Sequence, residues 1–146
     1  IDWSLSSFPC NRLISGYASG QLPWLAILIY RWTVRNGFVP DVYIVPAVLK
    51  SCGKFSGIGE VRQLHSVAVK TGLWCDIYVQ NNLVHVYSIY GDTVGASKVF
   101  DDMLVRDVVS RTGLISGYVK AGLFNDAISL MWKSLLAYLG LVESRI

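Results

Sequence analysis

Few side chains in this 146-residue chain could do chemistry, and their spacing restricts what that chemistry is. The cysteines Cys10, Cys52 and Cys75 stand far apart, with no CxxC pair, and His65 and His85 do not complete a zinc-ligand pattern. Neither a metal nor any other cofactor is expected. An odd number of widely spaced cysteines predicts reduced, buried thiols in an intracellular protein. What does recur is a set of carboxylates and amides. Asp41, Asp76 and Asp107 stand 35 and then 31 residues apart, and Asn11 and Asn81 precede Asp41 and Asp107. An amide both donates and accepts hydrogen bonds, and a carboxylate only accepts. Such residues suit recognition, and something must bring them into register.

The elements that would do so are written into the sequence as a repeat. LISGY occurs at Leu13–Tyr17 and again at Leu114–Tyr118. Between the two copies, "AVLKSC" at Ala47–Cys52 and "NLVHVY" at Asn82–Tyr87 fall into the same register. Four repeats result, beginning at Ser7, Val42, Ile77 and Val108, with spacings of 35, 35 and 31 residues. Each has an early aliphatic pair: Leu13/Ile14, Val48/Leu49, Leu83/Val84 and Leu114/Ile115. The second half repeats as Ala26, Val61, Ala96 and Ala127, then Ile29, Leu64, Val99 and Leu130.

Each repeat reads as two helices. In the third, Val79, Leu83, Tyr87 and Tyr90 form one apolar stripe at helical spacing. Gly91 breaks the chain, and Ala96, Val99, Phe100 and Met103 form the next stripe. In the fourth, Gly122 makes the break. Two helices of this length cannot bury both faces alone, so neighbouring pairs must stack. The expected fold is all-α, an α-solenoid of about four helix–turn–helix repeats.

Composition agrees. The chain is 53% hydrophobic and only 16% charged, the opposite of a disordered segment. The uncharged run Leu13–Tyr30 has the length of a short membrane span, but Gly16, Gly20, Gln21 and Pro23 interrupt it. A buried helical hairpin with a Gly/Pro turn is the better reading, and no membrane partner is expected. The net charge of +3 permits an anionic partner without requiring one. The chain opens without a Met and without the pattern of a signal peptide, so it is read as a fragment.

"LISGYVKAG" at 114–122, "PAVLKSC" at 46–52, "ASKVFDDM" at 96–103 and the junctions "VPDVY", "CDIYV" and "RDVVS" together resemble the pentatricopeptide repeat family of land plants. The alternation of 35- and 31-residue repeats resembles its subclass of mixed long and short units. The repeats fall at 7–41, 42–76, 77–107 and 108–142, the last diverging at its end. Arg111 departs from the family pattern, which has an aromatic before Thr112. The zinc-deaminase signature HxE…PCxxC is missing, so no enzyme activity is expected.

The resemblance implies a right-handed superhelix that binds single-stranded RNA at one nucleotide per repeat. It would belong to an organelle RNA-processing or editing factor in mitochondria or chloroplasts, with enzyme chemistry supplied by a protein partner. It also implies that a base is read by the fifth and last residues of each repeat. Those are Asn11 and Asp41, Pro46 and Asp76, Asn81 and Asp107, and then Thr112, whose partner falls in the diverged tail. An amide beside a carboxylate favours a base that shows an imino N–H, and the family pattern leans to U. Thr112 leaves room for a purine, and Pro46 cannot read by hydrogen bonding. The expected preference is U, unspecified, U, purine, running 5′ to 3′. Phe8, Tyr43, Tyr78 and Val109 occupy the second positions, where a side chain could wedge between bases. Asn81, His85 and Ser88 share one helical face and continue the polar stripe. Lys54 and Lys120 stand at equivalent positions near the end of a first helix and are the candidate phosphate contacts.

The same residues have plainer readings. An Asp just before a helix is a favoured N-cap, and a Lys is often simply solvated. Aromatics at helix starts often pack between repeats. Helical arrays also serve as protein–protein scaffolds, and a truncated copy without activity is the remaining alternative.

Overall fold

A computed structural model describes residues 13–14, 16, 20, 22–38, 44–55 and 57–141. Among them are seven α-helices, one 3-10 turn and no strand. The helices are α1 (Pro23–Arg35), α2 (Ile44–Phe55), α3 (Ile58–Thr71), α4 (Ile77–Ile89), α5 (Thr93–Asp102), α6 (Val108–Lys120) and α7 (Phe124–Tyr138). The 3-10 turn, Leu73–Cys75, lies between α3 and α4. The all-helical architecture and the paired helices expected from the periodicity are both present. No helix among the described residues is long and apolar enough to cross a membrane. The chain divides into two compact units, Ile1–Val79 and Gln80–Ile146, with the boundary inside the first turn of α4.

In the first unit, Pro23 starts α1, where its fixed φ suits the first helical position and its missing N–H costs nothing. This is why the apolar run is cut into separate pieces. Ala26, Ile27 and Tyr30 form the buried face of α1, which packs on α2. Helix α2 contributes Ile44, Val45, Val48, Leu49 and Cys52 to the core. Helix α3 packs on α2 with Val61, Leu64 and Ala68. Arg31 of α1 and Glu60 of α3 form a surface ion pair. Gly72 ends α3 with φ +79°, a left-handed value that a side chain would strain. The 3-10 turn then carries the chain to Asp76, with the Trp74 ring stacked on His65 at 5.0 Å.

In the second unit, Leu83, Val84, Val86 and Tyr87 of α4 are buried, with Ala96, Val99 and Phe100 of α5 and Met103 just after it. Leu114 of α6 and Ala127 and Leu130 of α7 extend the buried set. Tyr90, expected on the α4 stripe, is half-buried. The breaks at Gly91 and Gly122 are Schellman turns, with φ of +74° and +77°. In each, the next amide reaches back over the helix end: Asp92 N–H to Tyr87 C=O at 3.0 Å, and Leu123 N–H to Tyr118 C=O at 2.8 Å. Loops this short between packed helices fold the second helix back on the first.

The second LISGY has a structural cause. A Cβ built on Gly117 would collide with the Oγ of Ser88 and lie 2.7 Å from its Cβ, so α6 crosses α4 at a point that only glycine permits. Ser88 Oγ donates to Val84 C=O at 2.8 Å and reaches Gly113 C=O of α6 at 3.4 Å. Ser88 is therefore buried between helices, and its place in the expected polar stripe is corrected. At Gly16 in the first LISGY, a Cβ would meet nothing within 4 Å. A second correction concerns the thiols. Cys52 is buried as expected, but Cys75 is exposed, because it ends the 3-10 turn at the surface.

Candidate nucleic-acid interface

Among the described residues, those expected to read a base stand in or just before the first turns of α2, α4 and α6. Asp76 stands immediately before α4, and its Oδ1 accepts from the N–H groups of Tyr78 at 2.9 Å and Val79 at 3.2 Å. Asp107 is the N-cap of α6, where its Oδ1 accepts from Ser110 N–H at 2.9 Å. Ser110 answers with its hydroxyl, which donates to Asp107 C=O at 2.9 Å. Each carboxylate satisfies backbone N–H groups that the first turn of a helix leaves without intrahelical acceptors. The N-cap reading of these aspartates therefore holds.

Capping does not exhaust Asp107. The Asn81 side-chain Nδ2 donates towards both of its oxygens, each at 3.3 Å. The fifth residue of α4 and the last residue before α6 thus meet side chain to side chain, 26 positions apart in sequence. Asn81 is 9% exposed. Its amide N–H groups face the carboxylate, and its Oδ1 is buried without a hydrogen-bond partner. Turning the amide over would set oxygen against oxygen, so Asp107 fixes which way Asn81 presents its acceptor.

The other positions are less elaborated. Pro46 is half-buried on α2 and Thr112 is exposed on α6. Tyr78 and Val109 are 70% and 61% exposed at the second position of α4 and of α6. Lys54 and Lys120 are exposed in the last turns of α2 and α6, where a cation also complements the helix dipole. His85 is exposed on α4. Asn11, Asp41, Phe8 and Tyr43 lie outside the described residues. No group of three or more His, Cys, Asp or Glu side chains that could hold a metal occurs among the described residues.

Sequence reasoning passed over Arg106. Its Nε donates to Phe100 C=O and its Nη2 to Asp101 C=O, both at 2.9 Å, and its guanidinium lies 4.8 Å from the centre of the Phe100 ring. The signal was a cation placed just beyond the end of α5, where helix carbonyls lack partners.

Helical hairpins in tandem, with a carboxylate capping the first turns of α4 and α6, define a helical-repeat protein. Known families make this specific: residues 81–108 and 109–134 match the PPR repeat model, so the chain carries pentatricopeptide repeats. A pentatricopeptide repeat-containing protein of Arabidopsis thaliana is 49% identical over 129 residues, 88% of this chain and 23% of that protein. A second from the same plant is 41% identical over 126 residues, 86% of this chain and 15% of that protein. A third, whose name adds "chloroplastic", is 39% identical over 128 residues, 86% of this chain and 24% of that protein. The chain therefore spans about a quarter or less of the length of these curated relatives.

Proposed function

We propose that this chain is a sequence-selective, single-stranded RNA-binding module of a longer plant protein that acts in organelle RNA processing or editing. Its repeats run 7–41, 42–76, 77–107 and 108–142, with the alternating lengths of the mixed-length subclass, and each addresses one nucleotide. The module contributes recognition, and protein partners contribute enzyme chemistry. Mitochondria or chloroplasts are its place of action, in keeping with the plant relatives and the one named as chloroplastic.

The observation that carries this reading is the Asn81–Asp107 pair. A buried acceptor left without a donor costs about 1–3 kcal/mol. The Asn81 Oδ1 is such an acceptor, and the imino N–H of U is a donor of matching chemistry that would reach it once the groups covering it in the free protein move aside. Tyr78 and Val109, exposed at the starts of α4 and α6, supply surfaces on which neighbouring bases can pack, and Lys54 and Lys120 supply cations for phosphate. With so few contacts, affinity should be modest and should fall as salt rises.

Fluorescence anisotropy on short RNAs tests the proposal. An RNA with U at the nucleotide facing Asn81 should bind about tenfold more tightly than one with A there, the worth of one hydrogen bond and its lost complement. Asn81→Ala should erase that preference. Equal binding of all sequences by the intact protein would defeat it.

A further inference from the structure

The Asn81–Asp107 contact depends on where the connector between α5 and α6 sets Asp107 down. That connector runs from Met103 to Asp107. Met103 is anchored, with its N–H donating to Phe100 C=O at 3.2 Å and its side chain buried. Leu104 and Val105 are 80% and 65% exposed, so burial does not hold the middle. The next residue is Arg106. It returns to the end of α5, donates from two nitrogens to the carbonyls of Phe100 and Asp101, and lays its guanidinium near the Phe100 ring. Phe100 is itself 4% exposed, which makes it a firm platform. The next residue in the chain is Asp107.

We propose that Arg106 is a positioning residue for base recognition: it ties the α5–α6 connector to the end of α5 and thereby sets the Asp107 carboxylate against Asn81. Through that pair it governs which way the Asn81 amide presents its oxygen, while its own Nε and Nη2 are engaged with helix carbonyls. The inference rests on the RNA-reading role proposed for Asn81. A planar fork is what the geometry requires, since one side chain reaches two successive carbonyls and an aromatic ring together. A lysine keeps the charge and loses the fork. The connector before Asp76 is built differently, from Gly72 and the 3-10 turn, and the residue before that aspartate is the exposed Cys75.

The test compares the intact protein with Arg106→Lys and Arg106→Gln, below the melting transition of each, through two readouts. The first is the NMR signal of the Asn81 side-chain NH2 in the free protein. Both variants should move it towards the position of an unpaired amide, matching its position in Asp107→Ala. The second is anisotropy with RNAs carrying U or A at the nucleotide facing Asn81. Arg106→Lys should reduce a preference of about tenfold to about threefold or less, with an unchanged salt slope. Preferences at other nucleotides should not change. A residue that only contacts phosphate would behave otherwise: Arg106→Lys would keep the preference, and Arg106→Gln would weaken all RNAs alike and lower the salt slope. That result overturns the proposal. So does an Asn81 signal unmoved in both variants, even at a lowered melting temperature. If the intact protein shows no base preference, the RNA reading of Asn81 fails, and the NMR readout still decides whether Arg106 positions the pair.

Discussion

Asp76 precedes α4 and Asp107 precedes α6, and each accepts hydrogen bonds from the first turn of the helix it precedes. The hairpins that lead up to them differ in what else they ask of the carboxylate. In α2–α3 the fifth position is Pro46, which has no polar side-chain group, and Asp76 serves as a cap. In α4–α5 the fifth position is Asn81, and Asp107 is both a cap and the partner of a buried amide. The connectors diverge accordingly. A glycine at φ +79° and a 3-10 turn lead to Asp76, whereas an extended Met103 and the Arg106 clamp lead to Asp107. One residue type at one position in the repeat thus caps a helix in one hairpin and both caps a helix and accepts from a side-chain amide in the next.

The strongest way to break this comparison is to remove each carboxylate. Asp76→Ala should cost about 1 kcal/mol, the usual value of an N-cap. Asp107→Ala should cost about 2–4 kcal/mol, because the cap is lost and the Asn81 amide is left buried without its acceptor. Urea unfolding of both variants measures the difference. A double-mutant cycle with Asn81→Ala isolates the side-chain pair, and an interaction energy near zero there would reduce Asp107 to a cap like Asp76.

A second comparison sets the two LISGY glycines against each other. Gly117→Ala should destabilise by about 1–3 kcal/mol, since its methyl would strike Ser88 where α6 crosses α4. Gly16→Ala should stabilise by up to about 1 kcal/mol, since its methyl meets nothing within 4 Å and alanine is the better helix former. Thermal melts read both signs. Identical losses at the two sites would mean that the motif is repeated for one common packing reason.

Supplying what the poorer hairpin lacks should sharpen the contrast. Pro46→Asn places an amide at the fifth position of α2, in the same hairpin as Asp76. It should create a preference for U of up to about tenfold at the corresponding nucleotide, measured by anisotropy on RNAs varied only there. No gain would show that an amide is insufficient without a connector like that of Arg106.

Much of this was legible from spacing. The helix pairs, the glycine breaks at Gly91 and Gly122 and the buried faces of α4 and α5 follow from a 3.6-residue period and two left-handed turns. Asn81 and Asp107 could be singled out because the resemblance to the pentatricopeptide repeat family implies that the fifth and last residues of a repeat read a base. Contacts that register cannot encode were missed. Ser88 reads as polar and exposed on a helical wheel, and only the close approach of α6 at Gly117 buries it. Arg106 reads as a surface cation, and its role arises because the chain turns back on the end of α5. Cys75 was expected inside because cysteine usually is, and the 3-10 turn brings it out.

The smallest expected effect distinguishes the two compact units by titration. Tyr30 of α1 and Phe100 of α5 occupy equivalent positions in the repeat, and both are nearly fully buried. Phe100 cannot ionise. Burial raises the Tyr30 phenol above its usual pKa near 10, and the negative charge available to Cys52 raises it further. A folded-state pKa above the unfolded value means that the folded protein holds this proton more tightly. The associated stability is fully present below about pH 10 and is lost as pH rises through the higher folded value. Urea midpoints of the intact protein and Tyr30→Phe, followed from pH 8 upward, should therefore change relative to each other, the intact protein losing ground to the variant as alkali removes the contribution that only the tyrosine can lose. Parallel curves would show that the phenol ionises as readily in the folded chain as in the unfolded one, and that the α1 core is open to water at the position where the α5 core is closed.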